Sequence, residues 1–175
     1  PGHPLRAILE TFTKAHSAVN HAQAFIDLAC ELRPQVDLQQ VREVVVHTNS
    51  AVHHIVGSGS NDPAKYDPDA SRETLDHSLA YLVAVALEDG GVHHEHSYTY
   101  ARAHRPATID LWRRVHSVID PAWESAAIHY AVDHGARVVN LSLSASRNPS
   151  GRSLALHPDA FSPIEAAAVR YAVRR

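Results

Sequence analysis

The sequence predicts an α+β fold, and three observations carry that expectation. Residues 67–90, "DPDASRETLDHSLAYLVAVALEDG", hold a serine-capped apolar run at helical spacing. "VREVVVHTN", residues 41–49, is rich in β-branched side chains and reads as a strand. Beyond Glu124 the order becomes helix, strand, loop, helix, which is the grammar of a parallel α/β sheet.

Composition bounds what such a fold can do. The chain has 175 residues, 45% of them apolar, so it can bury a core and is not globally disordered. The net charge of −3 supplies no basic field for nucleic acid or an anionic membrane. A single cysteine, Cys30, excludes an internal disulfide and fits a reducing, cytoplasmic compartment. No apolar run has the length of a membrane span, and no signal-peptide pattern opens the chain. It starts at Pro1 rather than Met, which predicts a fragment or a processed product. The 15 histidines are dispersed, so they make the net charge pH-sensitive without forming a metal tract.

Taken in order, residues 1–13 read as a loop or strand. "AHSAVNHAQAFIDLACELRPQV" reads as a helix with His21, Phe25, Leu28, Ala29 and Leu32 on one face, stopped by Pro34. The strand at 41–49 follows, and "AVHHIVG" is then a weaker strand or a short helix. "GSGSNDPAKYDPDAS" is a loop of turn formers. The central helix is expected to start at Ser71 and run unbroken to Gly90. "RPATIDLWRRVHSVIDPAW" predicts a further helix with Ile109, Trp112, Val115 and Val118 on one side. Asp120 and Pro121 look like a helix cap and first helical residue. Residues 121–144, "PAWESAAIHYAVDHGARVVNLSLS", then read as helix, glycine stop and buried strand. A capping box at Ser162–Glu165 opens a last helix.

The central helix poses the chemical question. Leu75, Leu79, Leu82 and Ala86 would form one stripe, and His77, Tyr81, Ala84 and Glu88 another. Spacing fits two readings of His77 and Tyr81. They are core residues bonded to nearby backbone, or they face a cleft and bind an oxygen-rich ligand. Lys14, just ahead of the first helix, is a surface lysine or a carboxylate ligand. "VHHEHSY" at 92–98 has consecutive histidines that cannot all point one way. His94 and His96 share a face only if the segment is extended, and no spaced zinc motif is present, so no metal is expected. "GSGSN" lacks the Lys-Ser/Thr of a phosphate-binding loop, so nucleotide binding is not expected.

"TKAHSAVNHAQAFIDLA", the stretch from "VREVVVHTN" through "LEDG", and "DLWRRVHSVIDPAW" together resemble the MmgE/PrpD family, in particular its 2-methylcitrate dehydratases, over roughly residues 5–124. The resemblance implies a lid-like α/β domain that accompanies a large helical domain. It implies loss of water from the tricarboxylate 2-methylcitrate in propionate breakdown, as a hydro-lyase without an iron–sulfur cluster or other cofactor. It places Lys14, His77 and Tyr81 at lid-side positions that approach the substrate, and puts the acid/base histidines mainly on the helical domain. The complete family enzyme is expected to be a homodimer. Catalysis by this chain alone is therefore not expected.

The tail differs. "AAIHYAVDHGARVVNLSLS" and "SPIEAAAVRYAVRR" resemble the middle of a subtilisin-like serine protease over roughly 125–175. That likeness implies a helix–strand–helix fragment carrying none of the catalytic Asp, His, Ser or Asn. Ser142 and Ser144 would lie near a substrate-lining strand and are not the nucleophile. The sequence thus predicts two parts, 1–124 and 125–175, joined near Glu124.

Overall fold

The computed structural model describes residues 13–122, with 126, 129, 132 and 133 besides. The expectations for residues 1–12 and nearly all of the 125–175 tail lie outside the described residues. The chain forms two compact units, one from residues up to Val41 with Ala64–Trp112, the other from Arg42–Pro63 with the residues after Trp112. Helices and a two-stranded sheet make the fold α+β.

The first unit is helical. A 3-10 turn, Asn20–Ala22, leads into α1, Gln23–Leu32, and a second turn, Arg33–Gln35, carries the stopping Pro34. The helix is shorter than its sequence pattern suggests, and its inward face is different. Ala22, Phe25, Ile26 and Ala29 are buried, while Leu28 and Leu32 face solvent. Short α3, Arg72–Leu75, is capped by Ser71, whose side chain accepts from the Thr74 amide.

The central helix α4 is Leu79–Asp89, and every residue from Leu79 to Leu87 is buried. It packs against α1 and against α6, Pro106–Trp112. The single helix expected from Ser71 to Gly90 is in fact broken at Asp76–Ser78. Ser78 has extended backbone and is itself the α4 cap: its hydroxyl oxygen accepts from the Tyr81 amide and its proton goes to the Lys65 carbonyl. Gly90 ends the helix at φ 77°, a left-handed geometry that suits glycine. Arg33 Nε donates to the Glu88 carbonyl in the last turn. α5, Tyr100–Ala103, completes the unit.

Ser78 joins two elements through one hydroxyl, so we expect Ser78→Ala to destabilise the protein by about 1–3 kcal/mol, a lost cap plus a lost buried hydrogen bond. Ser78→Thr keeps both bonds and should recover part of the loss in a urea titration. Equal stability of the alanine variant and the parent would rule this out.

The second unit is built on a parallel pair, β1 (Val44–Thr48) and β2 (Val115–Ile119), in register from Val44↔Val115 to Thr48↔Ile119. The helix expected through Val118 therefore ends at Trp112, and residues 115–119 are a strand. The "AVHHIVG" segment resolves as a helix, α2 (Ser50–Ile55), with the Asn49 side chain accepting from the Val52 amide at 2.8 Å. Asp120 accepts from the Ala122 amide at 2.9 Å, as its capping role predicts.

The glycine-rich "GSGSN" is a packing device. Any Cβ on Gly57 would overlap Ser117, and one on Gly59 would overlap the His53 ring. This closeness lets Ser58 and Ser117 bond reciprocally at 3.0 Å and lets His53 Nδ1 meet Ser117 Oγ at 2.9 Å. Burial is the main influence holding the His53 imidazole below its ordinary pKa, with neighbouring His54 adding to it.

Candidate functional site

The first unit holds a recess of about 480 Å³ lined by Lys14, His16, Ser17, Arg72 and Asp76, with two alanines. One wall is the segment before α1, and Gln23 explains its shape. From the first turn of α1 the Gln23 side chain accepts from the His16 amide at 2.9 Å. Its amide group donates to the carbonyls of His16 at 3.1 Å and Ala18 at 3.2 Å. A side chain thus takes up backbone groups that a helix would have paired, and the segment stays bent. His16 Nε2 lies 2.8 Å from Asp27 on α1, and Tyr98 donates its hydroxyl to the Ser17 carbonyl at 2.6 Å. The Lys14 ammonium curls over the bend to the Ala18 carbonyl at 3.1 Å. An ammonium has three protons, so this bond leaves donor capacity toward the recess.

The other wall is α3 and the break after it. The Val19 amide donates to the Asp76 carbonyl at 3.0 Å and ties the two walls together. Arg72 and Asp76 stand one turn apart, with Nη1 3.5 Å from Oδ2. The Arg72 guanidinium lies over the Tyr98 ring, 4.7 Å from its centre, in a cation–π contact. Its Nη2 also reaches Ser17 Oγ and the His94 carbonyl, each at 3.4 Å. Two cationic side chains, one from each wall, therefore converge on one recess.

Of the three residues that the sequence nominated, Lys14 lines this recess. His77 does not line it: it lies in the break before α4, half-exposed, with Nδ1 bonded to the carboxylate of Asp76, which does, and 3.0 Å from the Glu73 carbonyl. Tyr81 is elsewhere. It is fully buried on α4, its hydroxyl donates to the Ser97 carbonyl, and its ring packs edge-on to Trp112 at 4.8 Å. Burial pushes its phenol up to about 12, so it stays protonated. The expected polar stripe of His77 and Tyr81 does not form, because the break at Ser78 rotates α4 relative to the residues before it. The only ring link of Tyr81 toward Arg72 among the described contacts is Tyr98, whose centre is 6.3 Å from that of Tyr81 and 4.7 Å from the Arg72 guanidinium. Arg72 and Asp76 escaped the sequence reading.

The rings of the histidine cluster pack on one another. The His93 ring lies 4.3 Å from that of His94 and 4.5 Å from that of His96, and its Nδ1 accepts from the Glu95 and His96 amides. Among the described residues no group of three or more His, Cys, Asp or Glu is placed to hold a metal ion. No helix among them is long and apolar enough to cross a membrane.

The family model for the MmgE/PrpD C-terminal domain matches residues 16–145. The chain belongs to the MmgE/PrpD family. The matched region includes every element described, from α1 to β2, and so includes Arg72, Asp76, His77 and Tyr81. Lys14 lies just ahead of it. The MmgE/PrpD match also continues past Glu124, where the sequence suggested a join.

Proposed function

We propose that this chain forms the lid-side wall of a dehydratase that removes water from 2-methylcitrate. The observation that carries the reading is the convergence of Lys14 and Arg72 on one recess in a chain of the MmgE/PrpD family. A substrate with three carboxylates needs cationic donors to orient it. The same donors stabilise charge that develops when a proton leaves the carbon beside a carboxylate. In that elimination the C–H electron pair becomes the new C=C bond and the hydroxyl departs as water after taking up a proton. In this reading Lys14 and Arg72 hold carboxylates, and His77, the exposed neighbour of Asp76, bonds a substrate oxygen. Tyr81 contributes through Tyr98. The groups that remove and return the proton come, by the family likeness, mainly from a helical domain.

The test is calorimetric titration of 2-methylcitrate into this chain. A charge-assisted bond contributes about 1.5–3 kcal/mol, so Lys14→Ala should weaken binding by about 10- to 100-fold. Arg72→Ala should do the same, with circular dichroism checking that the fold is intact. Absence of saturable binding to the parent chain, or unchanged affinity in both variants, would overturn the proposal.

A further inference from the structure

We infer that Asp76 is a positioning residue that fixes the proton of His77 on Nδ1 and leaves Nε2 as the working nitrogen. The inference rests on the dehydratase reading for its purpose, but its geometry stands alone. His77 Nδ1 faces two oxygens, one of the Asp76 carboxylate and the Glu73 carbonyl, the latter at 3.0 Å. Both are acceptors only. A bare ring nitrogen there would oppose lone pair to lone pair, so the neutral imidazole carries its proton on Nδ1 and its lone pair on Nε2.

The arrangement is held at both ends. Glu73 and His77 are one helical turn apart, so backbone geometry supplies the second acceptor. Asp76 is held in turn by Arg72, whose Nη1 is 3.5 Å from the other carboxylate oxygen. Arg72 is fixed by the Tyr98 ring. A chain of contacts therefore runs from the Tyr98 ring through Arg72 and Asp76 to the imidazole. Asp76 lines the recess, and the His77 side chain bonded to it is 54% exposed, so the imidazole has solvent access next to a residue of the recess wall. In that state a neutral Nε2 accepts from a substrate hydroxyl, and a protonated one donates to a carboxylate.

Among the described contacts the charged group bonded to His77 is Asp76, itself paired with Arg72, and Glu73 stands one turn earlier in α3. The experiment is nitrogen-15 NMR of the ligand-free chain at a pH where His77 is neutral, reading which ring nitrogen bears the proton. The parent should show mainly the Nδ1–H tautomer. In Asp76→Asn the amide NH2 is free to donate to Nδ1, and the population should move by several-fold toward Nε2–H. A parent in the Nε2–H form overturns the inference without reference to any variant. An unchanged tautomer in a folded Asp76→Asn also overturns it. Failure of the dehydratase reading shows up differently, as absent binding in the 2-methylcitrate titration, and leaves the tautomer where it is.

Discussion

Trp112→Ala should destabilise the first unit by about 3–5 kcal/mol, the range for emptying a fully buried large aromatic site. Trp112 has no exposed surface and ends α6. Its ring meets Tyr81 edge-on at 4.8 Å and lies 6.3 Å from Tyr66 in a stacked orientation. Such an aromatic pair adds about 0.5–1.5 kcal/mol beyond the area it buries. The indole Nε1–H finds no hydrogen-bond partner among the described residues. Trp112→Phe removes that buried donor together with part of the volume, and the two effects oppose each other. It should therefore lie much closer to the parent than the alanine variant does. Urea unfolding followed by far-UV circular dichroism checks both. An alanine variant within about 1 kcal/mol of the parent would mean that Trp112 does not hold the core.

The second large effect belongs to Glu88. Its side chain is 9% exposed and accepts from Arg102 at 2.8 Å, Arg105 at 3.1 Å and the Thr108 hydroxyl at 2.7 Å. Arg102 also reaches Asp89 at 2.9 Å, so the cluster links the last turn of α4 to α5 and α6. Glu88→Ala removes three bonds at once and leaves Asp89 as the carboxylate partner of Arg102, so it should cost about 3 kcal/mol. Glu88→Leu combined with Arg102→Met should cost less than the sum of the two single changes, because it removes both charges together.

Acid adds a second readout of the same cluster. Burial is the largest single influence on Glu88 and pushes its pKa up. The hydrogen bonds from Thr108, Arg102 and Arg105 and the Arg102 charge together outweigh it and hold the carboxyl below its ordinary value. A carboxyl lowered by folding stabilises the protein above the unfolded-state value, about 4.3 for glutamate, and that contribution disappears as pH falls through the folded value. The parent should thus lose stability on acidification through this window. Glu88→Gln should be less stable near neutrality and show a shallower acid limb. Parallel acid limbs in the two proteins would rule out the assignment.

The sequence was legible where one local signal dominated. β1 follows from its run of valines, and Pro34 marks the end of α1. The break before α4 was written in the sequence as well, since Ser78 stands directly ahead of the apolar run. Ser71 offers an equally good cap seven residues earlier, and local spacing does not rank two caps that both operate. β2 was hidden for another reason. Its inward positions include Ser117, so the apolar alternation of a strand is lost, while Trp112, Val115 and Val118 mimic helical spacing. Lys14 was visible as an isolated cation beside a helix start. Arg72 looked like an ordinary surface residue because its partners, Ser17 and Tyr98, lie far along the chain. Tyr81 looked like a ligand residue because its hydroxyl partner, the Ser97 carbonyl, carries no sequence signature.

The pairing of Val44 with Val115 imposes an order of events on synthesis. β1 leaves the ribosome without its partner strand, and at about 5–20 residues per second β2 follows several seconds later. Helices form in about a microsecond, so α1, α4 and α6 have time to dock before the partner strand emerges. During that interval the nascent valine strand offers bare amide and carbonyl edges to any neighbouring chain. The helical half of this molecule is thus positioned to mature first, and the sheet closes only as a late step.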